Sequence, residues 1–132
     1  MSLTSNRDTY VRYARLERVI DGDTVDLVVD MGWNLTQLVR FRLLGVDTPE
    51  LRSSDPDERR EAAIARDFVF QTLTAWSNLG DGAMHTFPLW VDSRKTGKYG
   101  RWLANIGSRG EAENETLNDL LLFEGLAKEY PA

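Results

Sequence analysis

The residues with the clearest chemical potential lie in the run 40–50, RFRLLGVDTPE, where carboxylates and a hydroxyl follow an alternating stretch. Alternation of polar and apolar residues is typical of a β-strand. Pro49 has no backbone N–H, so strand pairing should stop at that position. We therefore expect Asp47, Thr48 and Glu50 to lie where a strand passes into a loop.

An arginine inside the same run, Arg42, extends the chemistry that this loop could perform. Two carboxylates beside a guanidinium can bind a hard cation and hold a phosphate against it. A purely structural interpretation is equally open at this point. In that interpretation Arg42 pairs with Asp47 or Glu50 and only stiffens the turn.

Two shorter segments could complete such a site. Residues 21–24, DGDT, lie between two runs rich in β-branched residues. Asp-Gly is a strong hairpin signal, so a plain turn formed by Asp21 is the simpler interpretation. Residues 98–101, KYGR, precede another strand-like run and alone predict only a basic turn. The order of all three segments along the chain is far more specific than any one of them.

That order resembles the staphylococcal nuclease (thermonuclease-like) family over about residues 10–130. The matching motifs are Asp-Gly-Asp-Thr, Arg-x-Leu-Leu-Gly-Val-Asp-Thr-Pro-Glu, Tyr-Gly-Arg, and then Asn118 followed by Glu-Gly-Leu-Ala at 124–127. The resemblance implies a β-barrel plus helices, an α+β fold: a five-stranded OB-fold barrel with two packed helices. Because the chain ends at Ala132, it also implies that the family's usual last helix is missing.

The resemblance assigns a cofactor and a general base. It implies calcium held by the carboxylates of Asp23 and Asp47 and by the backbone carbonyl of Thr48. Glu50 would hold the attacking water, as general base or as orienting group.

Basic and aromatic residues complete the implied site. Arg42 and Arg101 would be catalytic, binding phosphate oxygens and stabilising the charge of the transition state. Lys98 and Tyr99 would bind the nucleotide, although a solvated lysine and a core or edge tyrosine are equally open interpretations. Gly97 stands where the family has an aspartate, so we expect the loop that anchors Arg101 to be looser.

On this basis we expect a calcium-dependent nuclease that hydrolyses phosphodiester bonds of DNA and RNA. The resemblance implies a preference for single-stranded or frayed substrate and 3′-phosphorylated products. We expect a monomer whose partners are DNA and RNA substrates, with no membrane partner. Two alternatives remain open: a non-catalytic OB-fold module that binds nucleic acid or a protein, and a phosphoesterase acting on small nucleotides. The presence of both arginines and the glutamate favours the enzyme.

The composition fits one small domain. The chain has 132 residues, of which 42% are hydrophobic, enough for a single core. We expect residues 1–9 to be a disordered N-terminal segment or a cloning remnant, and residues 10–132 to form one nuclease-like domain. There is no cysteine, which excludes disulfides. Residues 1–8 contain no hydrophobic signal core, so a secreted and a cytoplasmic location both remain open.

A net charge of −5 argues against a general affinity for nucleic acid. Binding would have to come from a local basic patch. The candidates for that patch are Arg40, Arg42, Arg94, Lys95, Lys98 and Arg101.

Periodicity predicts strands at 10–20, 24–30, 37–44, 86–92 and 102–106. It predicts helices at about 55–78 and 117–124. The long helix should be capped by Asp55 and should bury an apolar stripe. That stripe consists of Ala65, Phe68, Val69, Thr72, Leu73 and Trp76.

Several single residues receive structural assignments. We expect Asn118 to cap the second helix, and His85 to lie on a strand without a metal role. Tyr130 is a weak candidate for an aromatic wall of the pocket. The four tryptophans, at positions 33, 76, 90 and 102, are expected in the core or in hairpins rather than against bases.

Overall fold

The computed structural model describes residues 9–78, 80–95, 101–110 and 115–130. Helix α1 spans Pro56–Asn78 and helix α2 spans Leu117–Phe123, with a short 3₁₀ helix at Gly80–Met84. The strands are β1 (Thr9–Asp21), β2 (Thr24–Gly32), β3 (Leu35–Leu43), β4 (Val46–Asp47), β5 (Leu89–Lys95), β6 (Trp102–Ser108) and β7 (Lys128–Glu129).

Five of the strands close into a barrel in the order β1-β2-β3-β6-β5. The β3–β6 pairing is parallel, and the other pairings around the barrel are antiparallel. The remaining strands, β4 and β7, form a separate two-stranded sheet. The expected α+β fold, a closed five-stranded barrel with two helices, is confirmed.

The core lies inside the barrel and beneath α1. Leu27, Leu43, Leu89 and Ile106 are fully buried within the barrel strands. Helix α1 packs on β1 and buries the residues Ala62, Ala65, Val69 and Leu73. Of the predicted stripe, Ala65, Val69 and Leu73 are buried, and Phe68 and Trp76 are half-buried against the core. Thr72 is only half-buried, and Ala62 is a further buried residue that was not predicted.

The start of α1 follows its predicted cap. Asp55 accepts the backbone N–H of Asp57 through Oδ1 at 3.0 Å, and Pro56 occupies the first helical position, where no N–H is needed. Two acidic residues in the first turn, Asp57 and Glu58, favour this end of the helix. The chain before α1 is thereby fixed at the helix start.

The turn between β2 and β3 places two residues in the left-handed region. Trp33 has φ 52° and Asn34 has φ 61°, as a two-residue type I′ hairpin turn requires. Trp33 is 93% exposed, and residues 31–38 are all exposed. This hairpin tip therefore contributes nothing to the core.

The end of α2 turns the chain back toward the barrel. Gly125 has φ 72° and donates its N–H to Leu122 O at 3.1 Å, while Leu126 N–H bonds Leu121 O at 3.0 Å. These bonds are typical of a glycine-terminated helix. β7 can then pair with β4, with Lys128 opposite Asp47.

Two predicted roles are wrong. Asn118 is not the cap of α2, because Thr116 accepts the Asp119 N–H there. Instead Asn118 is buried, and its side-chain amide bonds backbone groups of Leu44, Ala104 and Ile106. It thereby joins α2 to β6 and to the loop after β3. His85 does not lie on a strand but follows the 3₁₀ helix.

The boundary of β5 also differs from the prediction. The strand spans Leu89–Lys95 rather than 86–92. Pro88 lacks the N–H that an antiparallel ladder needs and lies just before the first paired residue. In the described part of the chain, no helix is long and apolar enough to cross a membrane.

Candidate functional site

A cavity of about 760 Å³ opens where the β1–β2 turn, the end of β3, the segment after β4 and the start of β6 meet. It brings together the predicted calcium-binding and catalytic residues. They are Asp23, Arg42, Asp47, Thr48, Glu50 and Arg101. Lys98, Tyr99 and the neighbouring Gly97 lie outside the described residues.

The β1–β2 turn fixes Asp23. Asp21 Oδ1 accepts the Asp23 N–H at 3.0 Å, so Asp21 forms the turn as expected. The Asp23 carbonyl accepts the Leu43 N–H at 2.8 Å, which ties the turn to β3. Asp23 Oδ2 accepts the Thr48 N–H at 3.2 Å. This buried carboxylate therefore links the segments that carry the other acidic residues.

Gly22 is required by close packing. A Cβ built on Gly22 would lie 2.8 Å from Thr48 Oγ1 and 2.9 Å from Ala65 Cβ. Its φ is not in the left-handed region, so the turn does not need glycine for its backbone conformation. The absence of a side chain lets the turn approach both Thr48 and helix α1.

Arg42 lies at the centre of the site, with its guanidinium held on several sides. Nη1 donates to Leu43 O at 3.2 Å and to Val46 O at 3.0 Å. The guanidinium carbon also lies 4.9 Å from the ring centroid of Tyr130, a cation–π distance. Only 14% of the side chain is exposed. The position of this arginine is thus set by the surrounding backbone.

The other terminal nitrogen of Arg42 lies between two carboxylates. Nη2 is 3.4 Å from Asp23 Oδ2 and 3.2 Å from Asp47 Oδ1. The turn-stiffening pair that the sequence left open therefore exists with Asp47, and it includes Asp23 as well. Among the described residues, no ion pair joins Arg42 to Glu50.

Asp21 and Asp23 form a tight acidic pair at the rim of the cavity. Burial and, after it, the neighbouring Asp23 carboxyl together raise the pKa of Asp21 to about 6. Ionisation of Asp21 is therefore disfavoured, as expected for a half-buried carboxyl beside another carboxyl. A cation at this rim would relieve the repulsion.

The loop that carries Glu50 is positioned by a helical residue, Glu58, which the sequence did not assign to the site. Glu58 Oε1 accepts the Glu50 N–H at 3.3 Å, and Glu58 Oε2 accepts the Ser53 hydroxyl at 2.6 Å. Ser53 N–H in turn bonds Glu50 O at 3.2 Å. The loop that carries Glu50 is thus anchored to the first turn of α1, and Glu50 itself is exposed.

Three further residues that line the cavity were missed or underrated. Arg18 on β1 and Arg52 after Glu50 add positive charge to its wall. Tyr130, only a weak candidate from sequence, lies against Arg42 because its N–H bonds Gly45 O at 2.9 Å. A turn-and-strand pattern gives no signal for contacts made across such sequence distances.

No protein-family model matches the chain. It is 32% identical over 124 residues to a thermonuclease from Staphylococcus hyicus, covering 94% of this chain and 60% of that protein. It is 29% identical over 118 residues to protein ParB from Escherichia coli, covering 86% of this chain and 54% of that protein. The chain thus spans somewhat more than half the length of each.

The similarity to the thermonuclease and the closed barrel point the same way. Together they support a staphylococcal-nuclease-like fold.

The donor set at the cavity consists of oxygen atoms. Asp23 and Asp47 both approach one position, which the Arg42 nitrogen now occupies. In the described part of the chain, no group of three or more His, Asp or Glu side chains forms a metal-binding cluster. Carboxylate oxygens without histidine or cysteine suit a hard cation better than zinc.

The arrangement can neutralise and orient an anion. Four arginines surround one cavity: Arg18, Arg42, Arg52 and Arg101. Their planar forks match the geometry of a phosphate. The carboxylate of Glu50 at the same rim could accept a proton from water.

Proposed function

We propose that this chain is a calcium-dependent nuclease of the thermonuclease type, hydrolysing phosphodiester bonds of DNA and RNA. One observation carries this function: Asp23 and Asp47 converge on a single cationic group in a cavity that Glu50 and Arg101 also line. Similarity to a thermonuclease over 94% of the chain supports it.

The two carboxylates fit a calcium ion. Arg42 Nη2 already lies between Asp23 and Asp47, so the space between them accepts positive charge. Asp23, Asp47 and the carbonyl of Thr48 would hold the ion. When bound, calcium would neutralise phosphate charge and polarise a water molecule.

Arg42 would then serve the substrate. Its Nη2 contacts carboxylates, whereas its Nη1 is held by the carbonyls of Leu43 and Val46. If a cation takes over the two carboxylates, Nη2 leaves the position between them, and its donors become available to a phosphate oxygen. Arg101 would bind a second phosphate oxygen, and both charges would stabilise the additional negative charge of the transition state.

Glu50 would accept a proton from the attacking water. The water oxygen forms a bond to phosphorus, and the bond from phosphorus to the 5′ oxygen breaks. The leaving 5′ oxygen takes up a proton from solvent while Arg101 donates a hydrogen bond to it, and the phosphate remains on the 3′ side. An unpaired strand suits this chemistry best, because its phosphates can enter a cavity that a duplex cannot.

One observation favours the rival function, a non-catalytic OB-fold module. Arg42 makes its described polar contacts to protein groups, as a structural arginine would. The two functions differ in one measurable respect, which is turnover.

Denatured DNA incubated with the protein and calcium should be degraded to fragments with 3′-phosphate ends. Addition of chelator should stop the reaction. The matched control is Glu50→Gln, which keeps the size of the side chain and removes its basicity. DNA that stays intact at saturating calcium would exclude the enzyme and leave the binding module.

A further inference from the structure

A second cavity of about 350 Å³ adjoins the first. Both cavities are lined by Thr24, Arg42 and Arg101, so these residues form a shared wall. The residues that only the second cavity adds are Arg40 and Trp102. The groove thus continues from the proposed catalytic site along β3 and the start of β6.

Arg40 and Arg42 lie on one face of β3, because alternate residues of a strand point the same way. They are two residues apart, a separation of about 6.6 Å along the strand. This is similar to one nucleotide step of an extended polynucleotide backbone. A chain with one phosphate at Arg42 could therefore place the next phosphate at Arg40.

The guanidinium of Arg40 is oriented by Asp26. Nε lies 2.8 Å from Asp26 Oδ1, and Nη2 lies 3.1 Å from Oδ2. This two-point pair holds the plane of the fork and lowers the pKa of Asp26. The arginine remains 61% exposed, whereas the aspartate is 12% exposed. Nη1 takes no part in this pair, so it can donate to a ligand while the pair persists.

Trp102 supplies a flat apolar surface beside these charges. It is half-buried and packs partly against the core, as expected for the tryptophans. The rest of its side chain lines the second cavity. An aromatic ring next to arginines is the combination on which single-stranded nucleic acids bind, base on ring and phosphate on guanidinium.

We infer that the second cavity binds the neighbouring nucleotide of a single-stranded polynucleotide, with its phosphate on Arg40 and its base on Trp102. This inference rests on the proposed nuclease function and extends it. It makes the substrate a polynucleotide strand held at consecutive phosphates. A single diester would leave the second cavity empty.

Binding and turnover should be measured separately. Fluorescence anisotropy measures the affinity for a labelled oligothymidylate in the presence of chelator, where no hydrolysis is expected. The probe is about ten nucleotides long, within the ~4–16 nucleotides that OB folds cover. Hydrolysis of that strand and of a dinucleotide is measured with calcium. The variants are Arg40→Gln and, as the matched control, Asp26→Asn, which removes the ion pair but keeps the guanidinium.

Arg40→Gln should weaken oligothymidylate binding severalfold and make its dependence on log salt shallower by about 0.7, the slope of one single-strand phosphate contact. Asp26→Asn should keep the wild-type salt slope. Dinucleotide hydrolysis should fall far less than oligothymidylate binding in Arg40→Gln, because a dinucleotide has no second phosphate to reach Arg40. Equal affinity and salt slope for wild type and Arg40→Gln would overturn the subsite, as would the same loss in both variants.

Trp102 is tested in the same assay. Trp102→Leu should lower the affinity for the oligonucleotide by about tenfold, because one base loses its stacking partner. Trp102→Phe keeps an aromatic ring and should retain most of the affinity. Both variants should first be shown to unfold at the same denaturant concentration as the wild type. Equal affinity of the two variants for the oligonucleotide would then overturn the base contact. Absence of hydrolysis by the wild type would remove the nuclease function while the anisotropy result still decides the subsite.

Discussion

At the scale of single residues, the most informative contact is one that joins two glutamates. Glu58 holds the backbone N–H of Glu50 and the hydroxyl of Ser53, so the proposed base is carried on a loop fixed to α1. In a nuclease, this makes Glu58 a positioning residue. Glu58 does not line the cavity that contains Arg42 and Arg101.

Glu58→Ala should release the loop and lower kcat by about ten- to a hundredfold, since small misplacements of a catalytic group cost that much. KM should change far less, because the arginines that bind phosphate are untouched. Steady-state kinetics with Glu61→Ala, an exposed glutamate on the same helix, provides the control. A kcat equal to that of Glu61→Ala would mean that Glu58 does not position the base.

Substitution of Glu50 should affect turnover alone, whereas substitution of Arg42 should affect both turnover and stability. Glu50→Gln should lower kcat by roughly 10²–10⁴-fold, the usual worth of a general base, with nucleotide affinity largely kept. Arg42→Gly should lower turnover strongly and should also destabilise the fold, because Asp23, with 12% side-chain exposure, loses its cationic partner. Kinetics and chemical denaturation of both variants check this. Near-wild-type turnover in either would contradict the assigned role.

Asp21 gives the site a pH dependence. Its pKa is raised to about 6 in the folded protein, so folding favours the protonated form. Its contribution to stability is therefore complete below about pH 4 and is lost as the pH rises through about 6. The shift corresponds to at most about 3 kcal/mol, and solvent screening of this half-buried group reduces it to about 1 kcal/mol.

Asp21→Asn keeps the Oδ1 acceptor of the turn and removes the charge. In the presence of chelator, the Asp21→Asn variant should have a larger free energy of unfolding than the wild type. This difference should be small near pH 4 and should grow to about 1 kcal/mol by pH 7. Urea denaturation across that range measures the difference between the two proteins. A difference that is constant with pH would show that Asp21 does not titrate with a raised pKa.

At the scale of secondary-structure elements, Asn118 joins parts that are distant in sequence. Its Oδ1 accepts the Ile106 N–H at 3.3 Å, and its Nδ2 donates to Leu44 O at 2.8 Å and Ala104 O at 3.0 Å. One side chain thus fastens α2 to β6 and to the loop that leads into β4. The position of the proposed metal-binding segment depends on this tie.

Asn118→Ala should cost about 2–4 kcal/mol, because it leaves buried backbone groups without partners. The control is Thr116→Ala, which removes the observed cap of the same helix and should cost about 1 kcal/mol. Chemical denaturation gives both values. The reverse order of costs would mean that Asn118 acts mainly as a cap.

Helix α1 was predictable because each of its signals is local: a capping aspartate, a proline at the first position and one apolar stripe. The barrel strands followed from alternation and from the turns between them. Asn118 was misassigned because a polar residue near a helix start resembles a cap, and only tertiary contacts show otherwise. The same holds for Glu58, whose partners precede the helix by several residues.

The candidate site also has a part that the sequence could predict and a part that depends on tertiary packing. The family resemblance, carried by the order of the motifs, grouped Asp23, Asp47 and Arg42, and all three line the cavity. The arrangement of Arg42 between two carboxylates depends on how β3, β4 and the β1–β2 turn pack. No local pattern specifies that packing.

At the scale of the whole molecule, an acidic chain concentrates arginines around one groove. The net charge is −5, yet Arg18, Arg40, Arg42, Arg52 and Arg101 line the two adjoining cavities. Arg94, expected in the basic patch, lines neither of them. Away from the groove, an acidic surface disfavours polyanions, so binding should be confined to the site.

Calcium and a nucleotide should stabilise this molecule cooperatively. Arg42 lies between Asp23 and Asp47 and balances their charges. A cation alone would place positive charge beside Arg42, and a phosphate alone would compete with two carboxylates for the same nitrogen. With both ligands present, each charge has an opposite partner, so each ligand should increase the affinity of the other.

The thermal unfolding of the protein should therefore be followed with neither ligand, with calcium, with thymidine 3′,5′-bisphosphate and with both. A ligand at a hundred times its Kd adds about 2.7 kcal/mol, which for a domain of this size is a rise of several degrees in Tm. The rise with both ligands should exceed the sum of the separate rises. In Asp47→Asn, which weakens the cation site but leaves Arg42 in place, the excess should shrink. A strictly additive response in the wild type would mean that the two ligands do not share these residues.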